Sequence, residues 1–410
     1  MKFVVVTYGT EGDARPLAAL CRALMDAGHD ARLLADGATL GTAQSLGVPA
    51  TALAGDIKGT LQPGGSISQV VAKGSDFGGT AKALARIANA HANSWMRAVV
   101  AAGEGCDAIV ASGLAAFVGL SSAEYLGVKA IGAGLIPITP TSEFASPFLP
   151  PRLVPWILNR LSHQMVNGLL WRAFRSATND ARATVCGMAP RREDWTRHPM
   201  LYGISPALVA QPGDWPANAR VCGQWFPPAP DWSPPSPLAA FLAAGEAPLY
   251  IGFGSMAGFD RQRLVRELIA AAAGRRALFN PGWSGVEATG LPANFYVVGD
   301  VAHAWLLPRT SLVVHHGGSG TSHSATRAGV PSVVVPFAGD QFFWADRLRR
   351  TGVATGPVNG KDLRAGDLAR NIELAGSDGI RLRARETGER MMAEDGLATA
   401  VSAIEKIMAI

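Results

Sequence analysis

Cysteine, basic runs and long apolar runs are all scarce in this chain. The four cysteines among 410 residues, Cys21, Cys106, Cys186 and Cys222, stand far apart and form no C-x-x-C pair. That pattern excludes a disulfide framework and a zinc ribbon, and implies reduced thiols in a cytoplasmic protein. No stretch approaches the ~20 uninterrupted apolar residues that a membrane span needs. The most apolar region, 108–140, is broken by Glu124, Lys129 and several prolines. Peripheral contact with a membrane stays open. The N-terminal "MKFVVVTYG" is too short an apolar run for a signal peptide. Lys and Arg total 37 against 32 acidic residues, but they are scattered, and this argues against nucleic-acid binding. A net charge of +5 instead suits a mildly basic surface and a small anionic ligand.

What is present is a globular composition, 48% hydrophobic and 17% charged, on a chain long enough for two domains. Short β-rich runs alternate with helical patterns, which predicts parallel α/β sheets. In the first half the strands are "KFVVVTYG", "DARLLAD", "CDAIVAS", "GVKAIGAG" and "MLYGIS". Pro16 is placed to open the first helix, and Gly28 to end it. Residues 55–80 are Gly- and Ser-rich and read either as a lid over a cleft or as a surface excursion. A Pro- and Trp-rich stretch then interrupts the pattern, which restarts at "APLYIGFGSM". The expected division is a domain over 1–212, a linker over 213–237, a second domain over 238–387 and a helix over 388–410 that crosses back. Two such sandwiches place a site between them, at the carboxyl edges of their strands.

The most informative segment is "VVHHGGSGTSHSATRAGVPSVVVPFAGDQ", residues 313–341. A strand ends at His315-His316, glycines turn the chain, a helix follows, and the next strand leads to Asp340-Gln341. Glycines before a helix N-terminus let backbone N–H groups approach an anion, and the helix dipole favours negative charge there. His316 adds a side-chain donor, while Asp340 and Gln341 pair a carboxylate with an amide and suit a polyol. A ligand with both features is a nucleotide sugar. A zinc site at His315, His316 and His323 is excluded, because adjacent strand residues face opposite ways and no further ligand is suitably spaced. "GFGSM" contributes Gly254 and Ser255 as a second loop for phosphate. Trp283 is a candidate for stacking on a base, or simply for packing. Val301 is a candidate for backbone contact with the base edge. In the first half, "YGTEGDARP" fails the G-x-G-x-x-G fingerprint. Its Asp13 reads either as a helix cap or as a carboxylate facing the cleft to take a proton.

These residues resemble family 1 glycosyltransferases of the GT-B fold. "HHGGSGT…RAGVPSVVVPFAGDQ" is similar to the donor signature. "GTEGDARP", "ITPTSEFASPFLPP", "CGQWF" and "YIGFGSM" resemble the bacterial and sterol 3-β-glucosyltransferase branch. The resemblance implies two Rossmann-like domains facing a cleft and an inverting, metal-independent transfer that needs no cofactor beyond its UDP-sugar co-substrate. Transferases that hold a metal on the diphosphate usually carry Asp-x-Asp, which is missing here. Asp13 falls on the general base. Thr10 and Gly12, in the same turn, are candidate donor-binding residues, and His316, Gly318, Ser319, Gly320 and Thr321 fall on the diphosphate site, joined by Ser255. Asp340 and Gln341 fall on the sugar-hydroxyl pair. Two positions depart from the plant branch: Ser324 stands where a ribose-binding glutamate is expected, and Glu11-Gly12-Asp13 where a histidine base is expected. The implied partners are a nucleotide sugar, UDP-glucose or a relative, and a lipophilic alcohol or phenol such as a sterol, terpenoid, polyketide or flavonoid. Phe77, Phe117, Phe144, Phe148 and Trp156 are the bulky candidates near that acceptor. A nucleotide-sugar epimerase, a lipid-intermediate transferase, and a non-catalytic nucleotide-sugar-binding partner are the competing readings.

Overall fold

A computed structural model describes residues 1–61, 77–227, 233–254, 260–283 and 290–410. The first sheet comprises β1 (Lys2–Val6), β2 (Asp30–Asp36), β3 (Ala50–Leu53), β4 (Ala108–Ala111), β5 (Lys129–Gly134), β6 (Met200–Tyr202) and β7 (Ala219–Val221), in the order β3-β2-β1-β4-β5-β6-β7. The second comprises β8 (Leu249–Gly252), β9 (Ala277–Asn280), β10 (Phe295–Val297), β11 (Leu312–His315) and β12 (Ser332–Val334), in the order β10-β9-β8-β11-β12. Pairing within both sheets is parallel. Parallel strands are covered on both faces, so they need continuous apolar runs, and β4 and β8 are buried at every position. Strand order reverses beside β1 in one sheet and beside β8 in the other. In open α/β sheets, ligands bind outside the carboxyl ends of the strands at such a reversal. Those ends lead into Gly9–Asp13 on one side and into Gly254 and His316 on the other.

Three expectations need correction. Pro16 does not open the first helix, which runs from Glu11 to Asp26 with Thr10 as its N-cap. Pro16 occupies the sixth position, where it cannot donate to the Gly12 carbonyl. Capping at Thr10 and burial of Ala14, Leu17, Leu20 and Leu24 against the sheet outweigh that lost bond. Gly28 does end the helix turn as expected, with φ of +84°. The first domain also runs past residue 212. β7 pairs with β6 through Met200 and Ala219, and Cys222 and Trp225 are buried in the first core. Lastly, the terminal helix expected over 388–410 is two helices, Asp378–Met392 and Gly396–Ala409, with the Asp395 side chain capping the second at Ala398 N–H.

That last helix does cross back. Ala400, Val401, Ala403 and Ile404 join the core of the first domain beside Leu17, Leu20 and Leu24. Gly396 makes the crossing feasible: a Cβ there would stand 2.5 Å from the Gly223 carbonyl carbon and the Gln224 oxygen. Lys129 Nζ closes the far end by donating to the Ile407 carbonyl at 2.7 Å, where a cation suits the helix C-terminus.

Candidate active site

On the first-domain side, Asp13 is the third residue of its helix. Its Oδ2 accepts the Thr10 N–H at 2.7 Å and the Thr10 hydroxyl at 3.2 Å. Asp13 is therefore not the N-cap of this helix, a position that Thr10 holds, but it closes the capping box from the third helical position. Gly9 makes room for this: a Cβ there would fall 2.2 Å from Oδ2. Asp13 is half-buried. Burial raises its pKa above the usual carboxylate range, and the Thr10 donors pull it back.

On the opposite side, Gly317 turns the chain with φ of +91°, and Gly318 caps helix Ser319–Arg327. The first intrahelical bond runs from Ser322 N–H to the Gly318 carbonyl at 2.9 Å. The N–H groups of Ser319, Gly320 and Thr321 precede it, and form the anion-attracting end. The His316 ring lies between two glycines: a Cβ would meet it at 3.0 Å from Gly254 and 2.5 Å from Gly318. Burial pushes His316 down to about 4, against an upward pull from the Gly252 backbone. It is thus neutral near pH 7, with a single ring N–H. The Ser319 hydroxyl points elsewhere, donating to the Leu135 carbonyl across the cleft at 3.0 Å. Ser319 therefore has its backbone N–H, rather than its hydroxyl, for an anion.

Asp340 occupies the N-cap position of helix Gln341–Thr351, with no capping bond from its side chain. Its Oδ2 accepts the indole N–H of Trp344 at 2.8 Å. Burial raises Asp340 to about 6, Trp344 opposes this, and the charge of Asp13 adds to it. Gln341 is buried, and its Oε1 accepts Phe337 N–H at 2.8 Å and Ala338 N–H at 3.2 Å. It shapes the loop that carries Asp340.

Other candidates are distributed differently. Trp283 packs against the first-domain core with Lys58 Nζ 5.6 Å over its ring. Val301 is buried in a core cluster of the second domain. Ser255 lies outside the described residues, as do the 62–76 part of the Gly-rich segment and the side chain of Phe77. Phe117 sits in an aromatic cluster with Trp171, Phe174 and Trp195, Phe144 packs on Phe343 at 5.4 Å, and Trp156 is exposed. Sequence reasoning missed Trp344, although its four-residue spacing from Asp340 on one helix was a readable signal. It also missed His323, whose ring bridges the halves between Ser319 and Ser205.

A family model described as "Erythromycin biosynthesis protein CIII-like, C-terminal domain" matches residues 281–403. The chain is 33% identical to O-mycaminosyltylonolide 6-deoxyallosyltransferase of Streptomyces fradiae, over 99% of this chain and 97% of that protein. It is 30% identical to a sterol 3-beta-glucosyltransferase of Arabidopsis thaliana, over 99% of this chain and 65% of that protein. Among solved structures, the glycotransferase of kitacinnamycin superposes with a TM-score of 0.68 at 18% identity, covering 99% of this chain and 98% of that one. The spinosyn rhamnosyltransferase SpnG does so with a TM-score of 0.64 at 20% identity, over 99% and 100%. With two facing parallel-sheet domains and a nearly full-length relative above 30% identity, the chain belongs to the family 1 glycosyltransferases of the GT-B fold.

Proposed function

We propose that this enzyme transfers a hexose from a nucleoside diphosphate sugar to a hydroxyl of a lipophilic natural product, with inversion at the anomeric carbon. One observation carries the reading: helix Ser319–Arg327 begins beside the His316 ring and meets the first domain where the Ser319 hydroxyl donates to the Leu135 carbonyl at 3.0 Å, so its N-terminus opens at the carboxyl edge of the first sheet. The reading assigns the base to the first domain and the sugar-binding group to the second, with His316 and that helix N-terminus on the second side.

In this reading Asp13 takes the acceptor's hydroxyl proton as the acceptor oxygen attacks the anomeric carbon. The bond from that carbon to the diphosphate breaks, and its electron pair leaves with the nucleoside diphosphate. His316 and the N–H groups of Ser319, Gly320 and Thr321 stabilise the departing charge without a metal. Asp340 accepts sugar hydroxyls. The raised pKa of Asp13 makes it a stronger base than an exposed carboxylate.

UDP-glucose is the donor suggested by the sterol-type relatives. A dTDP-6-deoxyhexose is a second reading. It is supported by the 6-deoxyallosyltransferase relative and by the fold neighbours SsfS6 and SpnG, both solved with thymidine diphosphate. Four free cysteines fit a cytoplasmic enzyme, and no described helix is long and apolar enough to cross a membrane. The test is turnover of UDP-glucose and of dTDP-6-deoxyhexoses with a panel of hydrophobic alcohols, reading anomeric configuration by NMR. An inverted glycoside supports the proposal. Nucleotide binding with no transfer from any donor overturns it and favours the non-catalytic partner.

A further inference from the structure

We infer that the face formed by residues 152–175 docks on an anionic lipid surface. Helix Asn159–Cys186 has two apolar faces. One, with Val166, Trp171 and Phe174, is buried. The other carries Leu161, Met165 and Leu169, exposed and four residues apart, and Ile157 in the turn just before the helix continues the same ridge. The preceding turns extend it with Leu153 at 75% exposure and Trp156 at 79%. Isolated exposed apolar residues need no explanation, but a contiguous ridge ending in an exposed Trp marks a contact surface.

Charge identifies the occupant. Segments 77–103 and 150–186 hold eight Lys and Arg and one acidic residue, Asp180, whereas the whole chain is close to balanced at 37 to 32. Arg160 is paired with Asp214 and Arg182 with Glu124. Lys82, Arg86, Arg97, Arg152, Arg172 and Arg175 are exposed, with no ion pair among the described residues. Helix Phe77–Gly103 lies alongside, since Asn89 Nδ2 donates to the Ala173 carbonyl at 3.0 Å and Cys186 Sγ reaches Met96 Sδ at 3.5 Å. An apolar ridge with Trp at its end and bases beside it matches an amphipathic surface lying in the headgroup region of anionic lipid. A second copy of the chain would bring like charges together across a two-fold contact. The ridge also begins near the cleft. The segment before it follows β5, whose adjoining Leu135 accepts the Ser319 hydroxyl, and Phe144 meets Phe343 of the second domain. A bilayer here would lie next to the entry for a lipophilic molecule.

The test is sedimentation of the full chain with vesicles of phosphatidylcholine alone, and with vesicles of three parts phosphatidylcholine to one part phosphatidylglycerol. Binding is expected only to the anionic vesicles, weakening with salt. L161E/M165E should lower it by about tenfold or more at unchanged helicity and melting temperature. R152Q/R172Q/R175Q, which leaves the ridge intact, should remove the preference for phosphatidylglycerol. No sedimentation with anionic vesicles at low salt overturns the inference. So does a wild-type dimer in solution that L161E/M165E converts to monomer. Neither measurement depends on turnover, so this result stands apart from the proposed reaction.

Discussion

The backbone N–H of Ser205 donates to Nε2 of His323 at 3.0 Å and joins the two halves of the molecule. The other ring nitrogen, Nδ1, donates to the Ser319 carbonyl at 2.8 Å, within the first turn of helix Ser319–Arg327. One neutral imidazole thereby links the N-terminus of that helix to the loop after β6. Burial holds that ring neutral by lowering its pKa to about 4.

Replacing His323 with Leu should leave the Ser205 N–H buried and unpaired, at a cost of about 1–3 kcal/mol. The melting temperature should fall, and small-angle scattering should show a more open cleft. Above pH 5 the wild-type linkage should not respond to pH, because its proton acceptor titrates below that range. An unchanged scattering profile in His323→Leu would show that this contact does not hold the halves together.

Asp13→Asn should reduce kcat by about 10²–10⁴-fold, the scale of losing a general base. The amide oxygen can still accept from Thr10, so the melting temperature should move little. Asp340 should lose the negative neighbour that raises it, so its pKa should drop below about 6. The pH dependence of donor binding then shifts to lower pH in the variant. Calorimetric titration of the donor across pH reads that shift, and identical profiles would separate Asp13 from Asp340.

Trp344→Phe keeps a ring in the buried site but removes the donor to Asp340 Oδ2. The sign follows directly. Trp344 lowers the Asp340 pKa, so losing it raises that pKa further and favours the protonated form at neutral pH. The donor KM should rise near pH 6 and recover at higher pH, with kcat less affected. A KM defect that persists at every pH would indicate lost packing instead.

His316→Ala should weaken donor binding and slow transfer together. A charge-assisted bond to the diphosphate contributes roughly 1.5–3 kcal/mol, or on the order of 10- to 100-fold in kcat/KM for donor. An unchanged value would remove His316 from the diphosphate site.

Activity should survive exhaustive chelation, because the departing charge is assigned to His316 and the helix N-terminus. Loss of activity with EDTA and recovery with Mn²⁺ would replace that assignment with a metal.

Much of this was legible locally. Apolar runs marked nearly every strand, because strands buried on both faces must be apolar. The glycines between β11 and its helix were readable because a turn at positive φ and a close-approach backbone both demand them. Helix boundaries were less so. Proline suggested a start at Pro16, yet the start was set by a cap at Thr10 and by burial further along. The break at residues 393–395 was also hidden, since periodicity alone runs through it.

The sequence by itself determined two parallel α/β domains and the glycine turn at His316–Thr321, and it offered Asp13 and Asp340 as candidates. Each depends on short-range pattern, and short-range pattern is written in adjacent residues. Only the tertiary structure decided that Ser319 spends its hydroxyl on Leu135, that His323 bridges to Ser205, and that Ile157, Leu161, Met165 and Leu169 remain uncovered. Those facts depend on how two sheets and a returning helix pack, which joins residues more than 100 positions apart and leaves no local trace.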